Sequence, residues 1–168
     1  MIKTHGGFRM KVSYRDISLK EVHHIKEVWE KNRLFHEETS RFFGHLYEGL
    51  IFEDRMAPFE ALREDQLKIT IAEATDGELK EAESQQQVIG YCLSTINEGE
   101  GQMQTLHVLE KYRGKEIGKE LMQRHLEWLK DNKCDAVSLV VSQENEKAIR
   151  FYENHGFQKN TVEMRLIQ

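Results

Sequence analysis

Apolar and polar residues alternate along Lys11 to Ile17 (KVSYRDI), Leu67 to Ala74 (LKITIAEA), Val88 to Ile96 (VIGYCLSTI) and Met103 to Leu109 (MQTLHVL), the period-two signature of half-buried strands. Asn97 to Gly101 (NEGEG) has the chemistry of a tight turn, so the last three of these strands form an antiparallel meander. Ala136 to Val141 (AVSLVV) is a nearly continuous apolar run, as expected of a strand covered on both faces, and the VEMRLI run that ends at Ile167 alternates again as a final strand. Helical spacing governs the rest. Val22, Ile25, Val28, Trp29 and Leu34 follow a capping box of Ser18 and Glu21, and Phe42, Phe43, Leu46, Tyr47 and Leu50 predict a second helix broken near Gly49. Pro58 opens a helical turn. Ile117, Leu121, Met122, Leu126 and Leu129 predict a long helix from Lys115 to Asn132, and Asn145 opens a last helix that His155 and Gly156 close. The order of elements predicts an α/β chain with a mixed, mostly antiparallel sheet flanked by helices.

Two stretches show no periodicity. Thr75 to Gln87 (TDGELKEAESQQQ) is acidic and polar and reads as an exposed, mobile loop. Residues 1–9, with Gly6 and Gly7, read as a flexible extension, and residues 10–168 as a single domain of ordinary size. Composition adds little to this outline but excludes several functions. With 39% hydrophobic and 32% charged residues and no membrane-length apolar run, the chain is expected to be cytoplasmic and to have no membrane partner. A net charge of −5 argues against nucleic acid, whose non-specific affinity comes from clustered Lys and Arg, and leans toward a cationic substrate. Cys92 and Cys134 stand alone, and the eight histidines form no HxH or HExxH, so no metal site is expected.

The chemistry concentrates at the boundary between the strand ending at Leu109 and the helix that follows. Lys111 to Met122 (KYRGKEIGKELM) puts Arg113, Gly114, Lys115 and Gly118 where the first N–H groups of a helix lack partners and carry partial positive charge, which is a place for a phosphate or pyrophosphate. Gly114 and Gly118 are separated by three residues and followed by Lys119 and Glu120, which is not a Walker A loop, and no GxGxxG is present. The run resembles the acetyl-CoA loop of the GNAT N-acetyltransferase superfamily: Arg or Gln, two residues, Gly, one residue, then Gly or Ala. Here Glu116 replaces the middle glycine. VSLVVSQENEKAIRFYENHGF (Val137 to Phe157) resembles the later part of the same core, with Asn145, Ala148, Tyr152, Gly156 and Phe157 at the family's spacing.

This resemblance implies a GNAT fold splayed between its fourth and fifth strands, with acetyl-CoA as cosubstrate and no metal. Leu106, His107 and Val108 match the strand edge along which pantetheine lies, by strand addition to unpaired backbone groups. Arg113, Gly114, Lys115, Glu116, Ile117, Gly118 and Lys119 match the pyrophosphate cradle, and Asn145 is matched to cofactor binding. Tyr152 matches the general acid that protonates the departing thiolate. His107 has a second reading as a base, although strand alternation sets it opposite Gln104, Leu106 and Val108. Glu73, Glu98 and Glu100 are further candidate bases, each more simply an exposed charge; Gln102 and Gln104 could position water. The acceptor is expected to be a small-molecule amine, with His23 to Asp54 supplying contacts and Glu37 and Glu38 suiting a polyamine. A protein N-terminus or lysine, a non-catalytic acyl-CoA sensor and a homodimeric assembly are also compatible with the resemblance.

Overall fold

In the computed structural model, which describes residues 2–3, 9–76 and 86–166, the strands form one six-stranded sheet arranged in sequence order. β1 (Ile2–Lys3), β2 (Arg9–Ile17), β3 (Leu67–Asp76), β4 (Gln87–Asn97) and β5 (Glu100–Val108) pair antiparallel in succession, and β6 (Ala136–Leu139) joins β5 in parallel. Ile2 and Lys3 belong to the segment read as a loose extension; residues 1, 4–8 and 77–85, the last taking in most of the acidic loop, lie outside the described residues. At the β4–β5 turn Glu98 and Gly99 take φ of 50° and 83°, the left-handed pair whose twist matches that of the strands it joins.

Helices cover both faces of the sheet. On one, α1 (Lys26–Thr39) is entered through a 3-10 segment at Leu19–Ile25, where the Ser18 backbone N–H donates to the Glu21 carboxylate at 3.0 Å as the capping box requires. α2 (Phe52–Met56) follows, and the Pro58 turn continues it. Ile25, Val28, Trp29, Phe52, Met56 and Phe59 pack on Ile69, Ile71, Tyr91 and Leu93. On the other face, Ile117, Leu121 and Met122 of α3 (Ile117–Asp131) pack on Ala72, Ile89, Cys92, Met103 and Val108, beside α4 (Glu146–Glu153). Fully buried His125 of α3 lies 2.8 Å from Ser94 Oγ and 3.1 Å from Thr70 Oγ1, so a polar ring in the core has partners on two strands. No described helix is long and apolar enough to cross a membrane.

The helix predicted from Phe42, Phe43, Leu46, Tyr47 and Leu50 does not form. α1 stops at Thr39, and the chain passes through turns and a short 3-10 segment (Gly44–Leu46) before α2. The Ser40 hydroxyl and the Arg41 N–H both donate to Glu144 at 2.7 and 3.0 Å, and the Phe43 N–H donates to Ser40 Oγ. This long-range anchor takes groups that a continuing helix would use, and Phe42, Leu46 and Leu50 are left exposed. β6 is shorter and less covered than its apolar run predicts: it ends at Leu139, and Val140 is 85% exposed. The final strand is also absent from the described residues. Val162, Met164 and Leu166 are exposed and Arg165 bonds to Glu163, because alternation defines two faces but supplies no ladder partner.

Candidate active site

Parallel pairing of β5 with β6 runs only from Glu100 and Ala136 to Met103 and Leu139. Beyond that point the two segments diverge around a cleft of about 900 Å³, with Met103 to Val108 on one wall and Val140, Val141 and Ser142 on the other. This is the splay between the fourth and fifth predicted strands. An extended guest can reach the β5 edge here, as in strand addition. A β-bulge sets which side chains face which way. Leu93 pairs with Thr105 and Ser94 with Met103, so Gln104 is an extra residue in β5. Strand alternation would put Gln104 with Leu106 and Val108. Instead its amide donates to Gln102 Oε1 and Thr95 Oγ1, while Thr105 Oγ1 lies 3.3 Å from the Tyr91 hydroxyl on the α1–α2 face. His107 pairs with Tyr91 and shares that face; Leu106 and Val108 pack toward α3.

Below this wall lies the cradle. Arg113 Nε donates to the Val108 carbonyl at 2.9 Å, and its guanidinium lies 5.3 Å from the Phe35 ring. α3 starts at Ile117, two residues later than the predicted Lys115, because Gly114 and Glu116 both take left-handed backbone, with φ of 72° and 62°. Glu116 is therefore the residue before the helix, and its carbonyl accepts the Glu120 N–H at 3.0 Å. The N–H groups of Ile117, Gly118 and Lys119 have no partners within the helix and carry its positive end. A Cβ on Gly118 would stand 3.7 Å from Val108 and 3.8 Å from Phe151, so any longer side chain would enter the space between β5 and α4. Gly114, Glu116, Ile117, Gly118 and Lys119 line the cleft together with Leu106, His107, Val108 and Arg113. Lys115 is not part of that lining; its ammonium sits over the Tyr112 ring at 5.5 Å.

The opposite wall is α4. Asn145 caps it by accepting the Ala148 N–H at 3.2 Å, and Asn145, Ala148, Phe151 and Tyr152 line the cleft. Gly156, at φ of 93°, lets the chain turn so that the Phe157 N–H returns to the Tyr152 carbonyl at 3.1 Å. The Tyr152 ring is held edge-on by Phe151 and Phe157, with centroids 5.3 and 5.8 Å away. Burial, reinforced by nearby Cys92, pushes its phenol well above the usual range, so the group keeps its proton at neutral pH. No hydrogen bond engages its hydroxyl among the described residues.

At the other end the lining comes from α1, α2 and the turns between them: Trp29, Arg33, Phe35, His36, Tyr47, Arg55 and Phe59. Spacing did not mark these residues as a site, although all but Arg55 and Phe59 fall within the His23 to Asp54 region that the resemblance assigns to acceptor contacts; Trp29 and Phe59 are also part of the core. His36 stacks on Tyr47, with centroids 5.1 Å apart. Burial, then the Arg113 charge, lowers the His36 pKa, and the same two causes push His107 down to about 3, so both rings are neutral at pH 7. Arg33 is saturated by Glu30, Glu37 and the Tyr47 carbonyl. That pairing occupies Glu37; Glu38 is exposed and does not line the cleft. Glu73 pairs with Arg15 at 3.1 Å, while Glu98 and Glu100 stand at the β4–β5 turn; none of the three lines the cleft.

Several known proteins share this arrangement. The BH1408 protein of Bacillus halodurans, solved as a tetramutant, superposes with a TM-score of 0.69 at 16% identity, over 93% of this chain and 99% of that one. The aminoglycoside N-acetyltransferase AAC(6')-Iy, solved in complex with CoA, gives 0.63 at 16% identity, over 99% of both chains. A Pyrococcus furiosus protein described as a putative acetyl transferase gives 0.63 at 21% identity, over 94% of this chain and 100% of that one. At these identities the likeness is one of fold. No curated protein matches. The sequence model of the Acetyltransferase (GNAT) family matches residues 33–157, a span that includes the splay, the cradle and Tyr152, and the chain accordingly belongs to the GNAT acetyltransferase family.

Proposed function

We propose that this acetyltransferase moves the acetyl group of acetyl-CoA directly to the primary amine of a small molecule, with Tyr152 as general acid. The observation that carries the reading is the opening between β5 and β6, which has the unpartnered N–H groups of α3 at one end and the buried Tyr152 phenol on its α4 wall. These features fit an extended thiol cofactor: the amides at Ile117 to Lys119 would hold its pyrophosphate, the β5 edge from Leu106 to Val108 its pantetheine arm. When bound, the cofactor supplies an activated thioester.

Backbone N–H groups of β5 would polarise the carbonyl as the amine nitrogen forms its bond to the acyl carbon. The C–S bond then breaks with its electrons on sulfur, Tyr152 gives the thiolate a proton, and the proton that the nitrogen sheds as it becomes an amide returns through water to the phenol. The attacking amine must first lose a proton to water. Among the described residues the acceptor end of the cleft offers the neutral rings of His36 and His107 and no carboxylate, since Glu110 and Glu116 reach the cleft beside the cradle. Burial and the Arg113 charge, which lower His36 and His107, would lower the amine's pKa in the same direction. Gln104, which lines the cleft and whose amide donates to Gln102 at 2.7 Å, would be the group to order a water there.

The test is release of CoA thiol with acetyl-CoA and a panel of amines. Tyr152→Phe should lower kcat by about ten- to a thousandfold and leave acetyl-CoA affinity nearly unchanged, because only the proton-donating hydroxyl is lost. An unchanged kcat, with chemistry rate-limiting, would remove Tyr152 from this role. Tight acetyl-CoA binding without turnover of any amine would favour an acyl-CoA sensor.

A further inference from the structure

The acceptor end of the cleft carries charge of one sign. Among the described residues its lining includes Arg33 and Arg55 and no Asp or Glu; the described carboxylates that reach the cleft, Glu110 and Glu116, stand beside the cradle. The two arginines differ. Arg33 is neutralised by Glu30 and Glu37, whereas Arg55 takes part in no ion pair among the described residues and lies over the Phe59 ring at 5.4 Å. Arg55 lines the same cleft as Thr105 and His107 of β5, and Thr105 Oγ1 meets the Tyr91 hydroxyl at the bulge, so the guanidinium shares this space with the stretch of strand where an acceptor nitrogen would approach. Around it the walls are apolar and aromatic: Trp29, Tyr47, Met56 and Phe59.

We infer that the acceptor is a primary amine that also carries a carboxylate, on an apolar body, and that Arg55 binds that carboxylate. This rests on the acetyl transfer proposed above and replaces the polycation that the net charge of the chain had suggested. A guanidinium pairs a planar carboxylate through two parallel N–H donors, and the aromatic walls bury the body. A polyamine would instead bring its second ammonium toward Arg55 and find no carboxylate among the described residues of the acceptor end to receive it. The net charge of the chain does not bear on this pocket, because none of the described acidic residues lines its acceptor end.

The test separates binding from turnover. Phenylalanine, phenethylamine and spermidine would be titrated calorimetrically into the CoA-loaded protein, and the same three assayed for thiol release with acetyl-CoA. Phenylalanine should bind at least about tenfold tighter than either amine lacking a carboxylate, and Arg55→Gln should abolish that preference. The acetyl-CoA thermal shift should be the same in the variant, which shows that it is folded and that its cofactor site is intact. Preference for spermidine, or an Arg55→Gln variant that keeps the wild-type ratio, overturns the assignment while leaving acetyl transfer standing. Arg55-dependent binding of phenylalanine without turnover of any amine supports the assignment and overturns the transfer reading instead.

Discussion

In the function proposed above, backbone builds the cofactor end of the cleft, and side chains build its acceptor end. At the first, what matters is a strand edge released at Met103, two left-handed residues at Gly114 and Glu116, and three helix N–H groups; the side chains there mainly have to stay out of the way. At the second, Trp29, His36, Tyr47, Arg55 and Phe59 come from three separate segments, and their identity decides what fits. A backbone site tolerates drift in charge but not in bulk or φ. A side-chain site can be rewritten one residue at a time, so acceptors can diversify on a constant donor machinery.

The sharpest way to break this comparison is to alter bulk and charge separately in the cradle. Gly118→Asp would drive a carboxylate between Val108 and Phe151 and beside the helix N–H groups, and should weaken acetyl-CoA binding by about a hundredfold or more. Lys115→Ala removes one exposed cation that lies outside the lining and should change affinity less than about threefold. Calorimetric titration of both variants decides it. The reverse order would show that the cradle is a charge patch.

The same division governs what could be read from the sequence. Strands β2 to β5, the Glu98–Gly99 turn, the Ser18 and Asn145 caps and the passage from β5 into α3 were legible because each depends on residues a few positions apart, where periodicity and φ requirements leave marks. The segment between Thr39 and Phe52 was not, because its course depends on Glu144, about a hundred residues away, bonding Ser40 and Arg41. Nor was the bulge at Gln104, which one-strand alternation cannot register. The terminal VEMRLI had the pattern of a strand without a neighbour to pair with. Glu37 had the charge expected of a polyamine site but is committed to Arg33. Arg55 left no trace, since a lone arginine in a short helix has the look of any solvated charge.

Acid should test the sheet that carries the cleft. His107, on the β5 wall of the cleft, and His125, in the core face of α3, are each pushed down to about 3 by burial, against about 6.5 in an unfolded chain. The unfolded state therefore takes up protons that the native state refuses, so stability is fully present above pH 6.5 and falls as pH is lowered toward 3. At pH 5 the loss should be about 2 kcal/mol per histidine. Urea midpoints at pH 7.5 and pH 5 measure it, and His125→Gln, which can keep hydrogen bonds to Ser94 and Thr70, should flatten the dependence. A midpoint unchanged between the two pH values would mean that neither ring is held neutral.

The smallest expected effect bears most directly on how the cradle works. Glu116 occupies the position where the resembled loop has glycine, and the structure gives the reason for that glycine: φ is 62°, which costs a residue with a Cβ about 1 kcal/mol. Since Glu116 precedes α3, helix propensity does not enter, and the loss that a position within the first turn would predict for Glu116→Gly disappears. What remains nearly cancels. Glycine relieves the left-handed strain but gives up the carboxylate's interaction with the helix end, about 0.3 to 1 kcal/mol, and adds freedom to the unfolded chain. Stability should therefore shift by less than about 1 kcal/mol in either direction. Affinity should move one way. The carboxylate is 77% exposed and paired with Lys119 at 3.0 Å, so it adds little to the fold, yet it shares the positive end of α3 with any bound pyrophosphate. Glu116→Gly should tighten acetyl-CoA by about two- to fivefold at low salt, with the gain shrinking at high salt as the repulsion is screened. Weaker binding by the glycine variant at both salt concentrations would mean that the Glu116 side chain belongs to the site, and that this end of the cleft too depends on side chains.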